Sequence, residues 1–157
     1  MNTAGGMAEY IRVPAAWVVP LPDGLGLRES MVYGTAGLTA GLSVYQLIYQ
    51  GINPDMGKIV VTGASGGVGS VAVALLAQLG YKVAAVTGRV EQNGPLLEKL
   101  GASRIIDRIE FEEPARPLEK QIWAGAVDTV GSKVLAKVLA QMDYNSAVAA
   151  CGLAGGF

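Results

Sequence analysis

The residues best suited to chemistry run Val61-Thr-Gly-Ala-Ser-Gly-Gly-Val-Gly-Ser70, and what such a string can do is hold a phosphate. Its glycines, at 63, 66, 67 and 69, allow a tight turn and a close approach of backbone to a pyrophosphate. A helix opening behind them would aim free N–H groups and the positive end of its dipole at the same anion. Aligned on Gly66 and Gly69, a G-x-G-x-x-G pattern puts Ala64 at the first glycine position. Alanine costs little there provided its φ stays negative. Gly-Lys-Ser/Thr is missing, so the turn is no P-loop and phosphoryl transfer is not expected. A turn of the same kind carrying no nucleotide remains the alternative at this point.

Cofactor choice is read further on. About twenty residues past such a turn, an NAD site places Asp or Glu against the ribose 2′-hydroxyl. Here that count reaches Thr87-Gly88-Arg89, with no carboxylate until Glu91. Arginine beside a hydroxyl suits a 2′-phosphate through charge-assisted hydrogen bonds, so NADPH is expected over NADH. Arg108, ending the next strand, is a second candidate cation for the same pocket. A solvated charge at a strand end is the alternative for each.

Composition removes most other chemistry. The chain has 157 residues and no histidine, so a Ser-His-Asp or Cys-His nucleophile and a histidine metal site are excluded. One cysteine, Cys151, can form neither an internal disulfide nor a multi-cysteine zinc site, and at the end of an apolar run it reads as an inert core thiol. Such cysteine usage fits a reducing cytoplasm. Lys and Arg number 12 against 13 Asp and Glu, which argues against a nucleic-acid partner. Hydrophobic residues at 51% leave enough apolar surface for a core and exclude a disordered chain. The N-terminus has no basic segment leading into an apolar one, so no signal peptide is expected. Two uncharged stretches, 30–54 and 59–81, are long enough to span a bilayer. Thr35, Thr39, Ser43, Gln46 and Gln50 in the first, and the glycines in the second, favour a fully buried helix and a strand-turn-helix instead. No membrane partner is expected.

Elements must position the turn. Residues 59–62, 82–87, 104–107, 126–130 and 147–152 are short and apolar at successive positions rather than at every second one, and 59–62 is β-branched, as buried parallel strands are. Between them the pattern predicts helices over 70–79, 95–100, 118–123 and 132–142. Gly80 stops the first, and Pro95 sits near the start of the second, which Gly101 closes. In the fourth, Val134, Leu135, Val138, Leu139 and Met142 share a face. Alternating strands and helices with no internal repeat specify an α/β fold, a doubly wound parallel sheet of Rossmann type. Ahead of it, 8–13 reads as a strand, 18–22 as an extended segment, and Ser30 as the cap of a helix running to about residue 50.

Two reductase superfamilies share this turn. The string also satisfies the T-G-x-x-x-G-x-G of short-chain dehydrogenases, but none of the six tyrosines has lysine four residues on. That pattern also lies near the N-terminus in those proteins. The other superfamily fits in order and spacing: Gly5-Gly-Met-Ala-Glu-Tyr10, Val18-Val-Pro-Leu-Pro22, Gly34-Thr-Ala-Gly-Leu-Thr-Ala40 and the glycine turn resemble medium-chain dehydrogenase/reductases. Ala85-Val-Thr-Gly-Arg89, Leu100-Gly-Ala-Ser-Arg104, Asp128-Thr-Val-Gly131 and Cys151-Gly-Leu-Ala-Gly-Gly-Phe157 resemble its zinc-free acrylyl-coenzyme A reductases, often labelled quinone oxidoreductases.

That resemblance implies Ser65, Gly66, Gly67, Val68 and Gly69 on the pyrophosphate. It implies Thr87, Gly88, Arg89 and Arg108 around the 2′-phosphate and Leu153 near the nicotinamide, with Thr35 and 128–130 as weaker candidates. It also implies hydride transfer from NADPH to the β-carbon of an unsaturated thioester, followed by protonation of the enolate. Members are about twice this long. The resemblance therefore assigns 1–29 to a remnant of the catalytic domain's last strand and its linker, and 30–157 to an NADP-binding domain without its sixth strand. Catalytic power in the chain alone is doubtful on that reading. A non-catalytic nucleotide-binding module and a remnant that binds nothing stay open beside it. An apolar edge strand or the N-terminal segment is expected to make the chain a homo-oligomer.

Overall fold

The computed structural model describes residues 6–117 and 119–156, and these divide into two compact units between Val32 and Tyr33. The larger unit holds the sheet. Its strands are β1 (Lys58–Val61), β2 (Lys82–Thr87), β3 (Ala102–Asp107), β4 (Trp123–Asp128) and β5 (Met142–Ala150). They lie in the order β3-β2-β1-β4-β5 and every neighbouring pair is parallel. The helices are α1 (Leu27–Tyr49, interrupted by a kink at Gly34 with φ 44°), α2 (Gly67–Gln78), α3 (Val90–Lys99) and α4 (Ser132–Ala140).

Both faces of the sheet are covered, which is why its strands are apolar at successive positions. Ile59, Val61, Val83 and Ala85 pack with Ala40, Val44 and Leu47 of α1 and Ala72, Val73 and Leu76 of α2. The alternate residues Val60, Ala84 and Val86 pack with Phe111 and Val138. Each fully buried Val or Leu contributes about 1.5–3 kcal/mol. The strand order reverses between β1 and β4, and in doubly wound sheets that crevice, at the strands' carboxyl ends, takes ligands.

Several elements differ from the sequence expectations. α3 starts at Val90 and so carries Pro95 inside it rather than at its start. Gly94-Pro95 reads locally as a break, but burial of Gly94 and Leu97 overrides it. Residues 119–122 form no helix, and Trp123 already begins β4; Leu118 lies outside the described residues. The stretch 8–13 has no strand partner among the described residues and is not a strand. Ser30 lies inside α1, where its hydroxyl donates to Leu27 O at 2.7 Å, so it is no cap.

α1 is half buried rather than fully buried: Ala40, Ser43, Val44 and Leu47 face inward while Leu38, Leu42, Tyr45 and Tyr49 are exposed. Thr39 and Ser43 return their hydroxyls to carbonyls one turn back, at 2.9 and 2.8 Å, so polar residues cost little there. α4 ends at Ala140, and Met142 opens β5 instead of closing the helix; Leu139 is exposed. β5 pairs regularly with β4 only over Ala147–Ala150, because an irregularity with Asn145 at φ 59° precedes it. No helix of the described residues is long and apolar enough to cross a membrane.

Candidate functional site

The glycine turn leaves β1 at its carboxyl end and delivers the chain into α2. Gly63 takes φ 58°, a conformation that favours glycine, while Ala64 avoids positive φ and is buried. Alanine at the first glycine position is thus tolerated, as expected. Ala64 N–H donates to Val86 O at 3.0 Å and Gly66 N–H to Gly63 O at 2.9 Å, tying the turn to β2 and to itself. A Cβ at Gly69 would lie 2.7 Å from Ala64 Cα, so only glycine lets α2 sit this close to the turn.

α2 begins with its donors free. Gly66 is its N-cap and supplies no side-chain hydrogen bond; the first bond of the helix is Ser70 N–H to Gly66 O at 2.9 Å. The N–H groups of Gly67, Val68 and Gly69 have no acceptor among the described residues. Such donors at the positive end of a helix are suited to an anion.

A buried clamp holds the carboxyl ends of β1 and β4 together beside this turn. The Thr62 hydroxyl donates to Asp128 Oδ1 at 2.6 Å, and Gly131 N–H donates to Asp128 Oδ2 at 2.8 Å. Thr129 closes the loop, its N–H donating to Thr62 Oγ1 at 3.1 Å and its hydroxyl to Thr62 O at 2.9 Å. Both oxygens of the Asp128 carboxylate are therefore used within the fold. These bonds tie the ends of β1 and β4 together.

The sequence candidates at the end of β2 converge on one cleft of about 670 Å³, lined by Ser65, Thr87, Gly88, Arg89 and Arg108, with Gly63, Val130 and Gly155 among its other walls. That size lies within the ~300–1,000 Å³ typical of cofactor and ligand sites. Ser65 Oγ and Thr87 Oγ1 lie 3.1 Å apart, so β2 and the glycine turn meet through their hydroxyls. Arg108 lies across Gly88: a Cβ on that glycine would come 2.7 Å from Arg108 Cδ and 2.8 Å from its Nε. Arg108 Nε also pairs with Glu112 Oε1 at 3.3 Å. Arg89 forms no ion pair among the described residues.

Other candidates fall outside the cleft walls. Gly66, Gly67, Val68 and Gly69 build the α2 terminus next to Ser65 rather than lining the cleft. Leu153 is exposed beside Gly131, and its neighbours Ala154 and Gly155 line the cleft instead. Thr35 is exposed on α1, its carbonyl engaged by Thr39. Cys151 is exposed, not a core thiol; its position is set by its N–H donating to Asp128 O at 2.9 Å at the end of the edge strand. Sequence reasoning missed Glu112, Val134, Ala154 and Gly155 as cleft walls. Glu112 and Val134 reach the cleft through the fold and carry no local signal; the small side chains of Ala154 and Gly155 after β5 are the one signal that could have pointed to a close approach. Among the described residues no three His, Cys, Asp or Glu side chains gather as they would around a metal ion.

No family model matches the chain. It is 62% identical over 156 residues to an Escherichia coli protein named Probable acrylyl-CoA reductase AcuI, covering 99% of this chain and 48% of that protein. The crystal structure of the yhdH oxidoreductase from Salmonella enterica in complex with NADP superposes with a TM-score of 0.93 at 63% identity, covering 98% of this chain and 47% of that one. The Bacillus subtilis protein yhfP, crystallised with NAD bound, superposes at 0.90 with 48% identity, over 98% of this chain and 46% of its own. The chain thus spans about half the length of the relatives it matches.

Proposed function

Because the chain belongs to the medium-chain dehydrogenase/reductase superfamily, among relatives of acrylyl-CoA reductase and quinone oxidoreductase, we propose that it is the NADPH-binding part of a zinc-independent oxidoreductase acting on activated double bonds. The observation that carries this is a cleft at the β1/β4 switch point lined by two arginines and by Ser65, which leads directly into an uncapped helix terminus. Residues 30–157 are the cofactor domain, and the cytoplasm is its compartment. Gly66, Gly67, Val68 and Gly69 offer backbone donors to the pyrophosphate, with Ser65 at the lip. Thr87, Gly88, Arg89 and Arg108 surround the 2′-phosphate, and Leu153 approaches the nicotinamide.

When bound, NADPH supplies the hydride; the chain's own groups bind and orient it. The α2 terminus neutralises pyrophosphate charge, and the arginines add charge-assisted bonds that a 2′-hydroxyl cannot return. The Thr62–Asp128 clamp keeps the cleft's floor rigid, which positioning-based catalysis demands. On this reading the acceptor, an acrylyl-CoA-like thioester or a quinone, is held by surfaces that this chain does not supply.

Mixing the purified chain with NADPH and acrylyl-CoA tests the reading. NADPH fluorescence should saturate while its absorbance barely falls. Efficient reduction by the chain alone would overturn the idea of a cofactor part without its acyl pocket, and no fluorescence change would overturn the cofactor itself.

A further inference from the structure

Glu112 is an acidic wall in a cleft otherwise arranged for an anion. The chain leaves β3 at Asp107, whose carboxylate accepts from Ile109 N–H at 3.0 Å and starts a short 3₁₀ turn, Arg108–Phe111. Buried Phe111 anchors that turn, and Glu112 N–H donates to Ile109 O at 3.1 Å. Glu112 is thereby set one turn beyond Arg108, with Oε1 3.3 Å from Arg108 Nε. Both side chains line the cleft together with Arg89. Nε is engaged by the carboxylate, while the guanidinium stem is settled against Gly88, where no Cβ interferes.

We propose that Glu112 moderates the cleft's preference for a 2′-phosphate by offsetting part of the Arg108 charge; this rests on the cofactor reading above. A phosphate monoester carries about −1.5 to −2 charge at neutral pH, so it is drawn by Arg89 and Arg108 and opposed by Glu112. A bare 2′-hydroxyl feels neither strongly. Glu112 therefore acts on discrimination between phosphorylated and unphosphorylated ribose rather than on nucleotide binding as such. Gln at 112 keeps an acceptor for Arg108 Nε and removes only the charge. Arg108 and Glu112 side chains are 68% and 56% exposed, so solvent screens the effect. It should amount to about two- to fivefold, the range exposed charge pairs span.

Calorimetric titration with 2′,5′-ADP and with 5′-AMP tests this on the 157-residue chain, since both probes need only the adenosine half of the site. Glu112→Gln should bind 2′,5′-ADP about two- to fivefold more tightly, with steeper salt dependence and unchanged 5′-AMP binding. Glu112→Asp, which keeps the charge, should behave as wild type. Unchanged or weaker 2′,5′-ADP binding by Glu112→Gln would overturn the inference alone. A wild-type chain with no preference for 2′,5′-ADP over 5′-AMP would overturn the cofactor reading and the inference with it.

Discussion

Arg89 and Arg108 stand in one cleft but under different constraints. Arg89 is unpaired among the described residues, whereas Arg108 is held by Gly88 on one side and Glu112 on the other. Replacing Arg89 by Asp should weaken NADPH by about tenfold or more, the worth of a hydrogen bond to a charged group, and leave NADH unaffected. Equal losses for both nucleotides would place Arg89 elsewhere. Gly88→Ala should keep the fold, because the methyl group meets a flexible side chain, yet weaken 2′-phosphate binding by displacing Arg108. Thr62 belongs to stability instead. Thr62→Val removes a donor from the buried Asp128 carboxylate and should cost about 1–3 kcal/mol in urea unfolding. Arg89 was legible in the sequence from its distance past the glycine turn, and Arg108 from its place at the end of the next strand. Thr62 with Asp128 was not legible as a clamp, since its two members lie 66 residues apart and only the fold pairs them.

Two elements decide the site's shape, and each has its own weak point. α2 rests on the glycine turn through Gly69, where a Cβ would meet backbone and not a mobile side chain. Gly69→Ala should therefore push α2 away, destabilise by about 1–3 kcal/mol and weaken NADPH as well. The segment between β3 and β4 is pinned at Glu119, which accepts from Lys137 Nζ at 2.8 Å, Gln141 Nε2 at 3.0 Å and Arg116 N–H at 2.8 Å. These bonds, the Lys137 one foremost, lower the Glu119 pKa to about 2. Its unfolded value is about 4.3, so its contribution is complete above that pH and fades as pH falls toward the folded value. Glu119→Gln should melt lower than wild type at neutral pH, and the gap should close in acid; a constant gap would contradict this. The same residue shows why 118–123 read as a helix: its side chains favour one locally, but Glu119 is spent on α4 and Gln141. β2 was legible to both of its ends because an apolar run flanked by charge and glycine needs no tertiary information. α3 was not, because only burial of Leu97 explains a helix that carries Gly94 and Pro95.

At the scale of the molecule, the parallel sheet and its switch point were legible in the alternation of apolar and amphipathic runs, and they alone place the cleft. The half-exposed face of α1 was not legible, since an uncharged stretch looks the same whether one side or all sides are buried. Leu38, Leu42, Tyr45 and Tyr49 on that face, and the outer edge of β5, leave apolar surface of the kind that self-associates. Sedimentation at micromolar concentration should therefore find a dimer or larger species, and a monomer would contradict it. The proposed function places a dinucleotide, preferably the 2′-phosphorylated one, in the cleft over the carboxyl ends of β1 and β4. Parallel fluorescence titrations of the chain with NADPH and NADH test it most directly. Saturable binding with NADPH clearly the tighter ligand is expected; equal affinities, tighter NADH, or no binding of either would refute the proposed function.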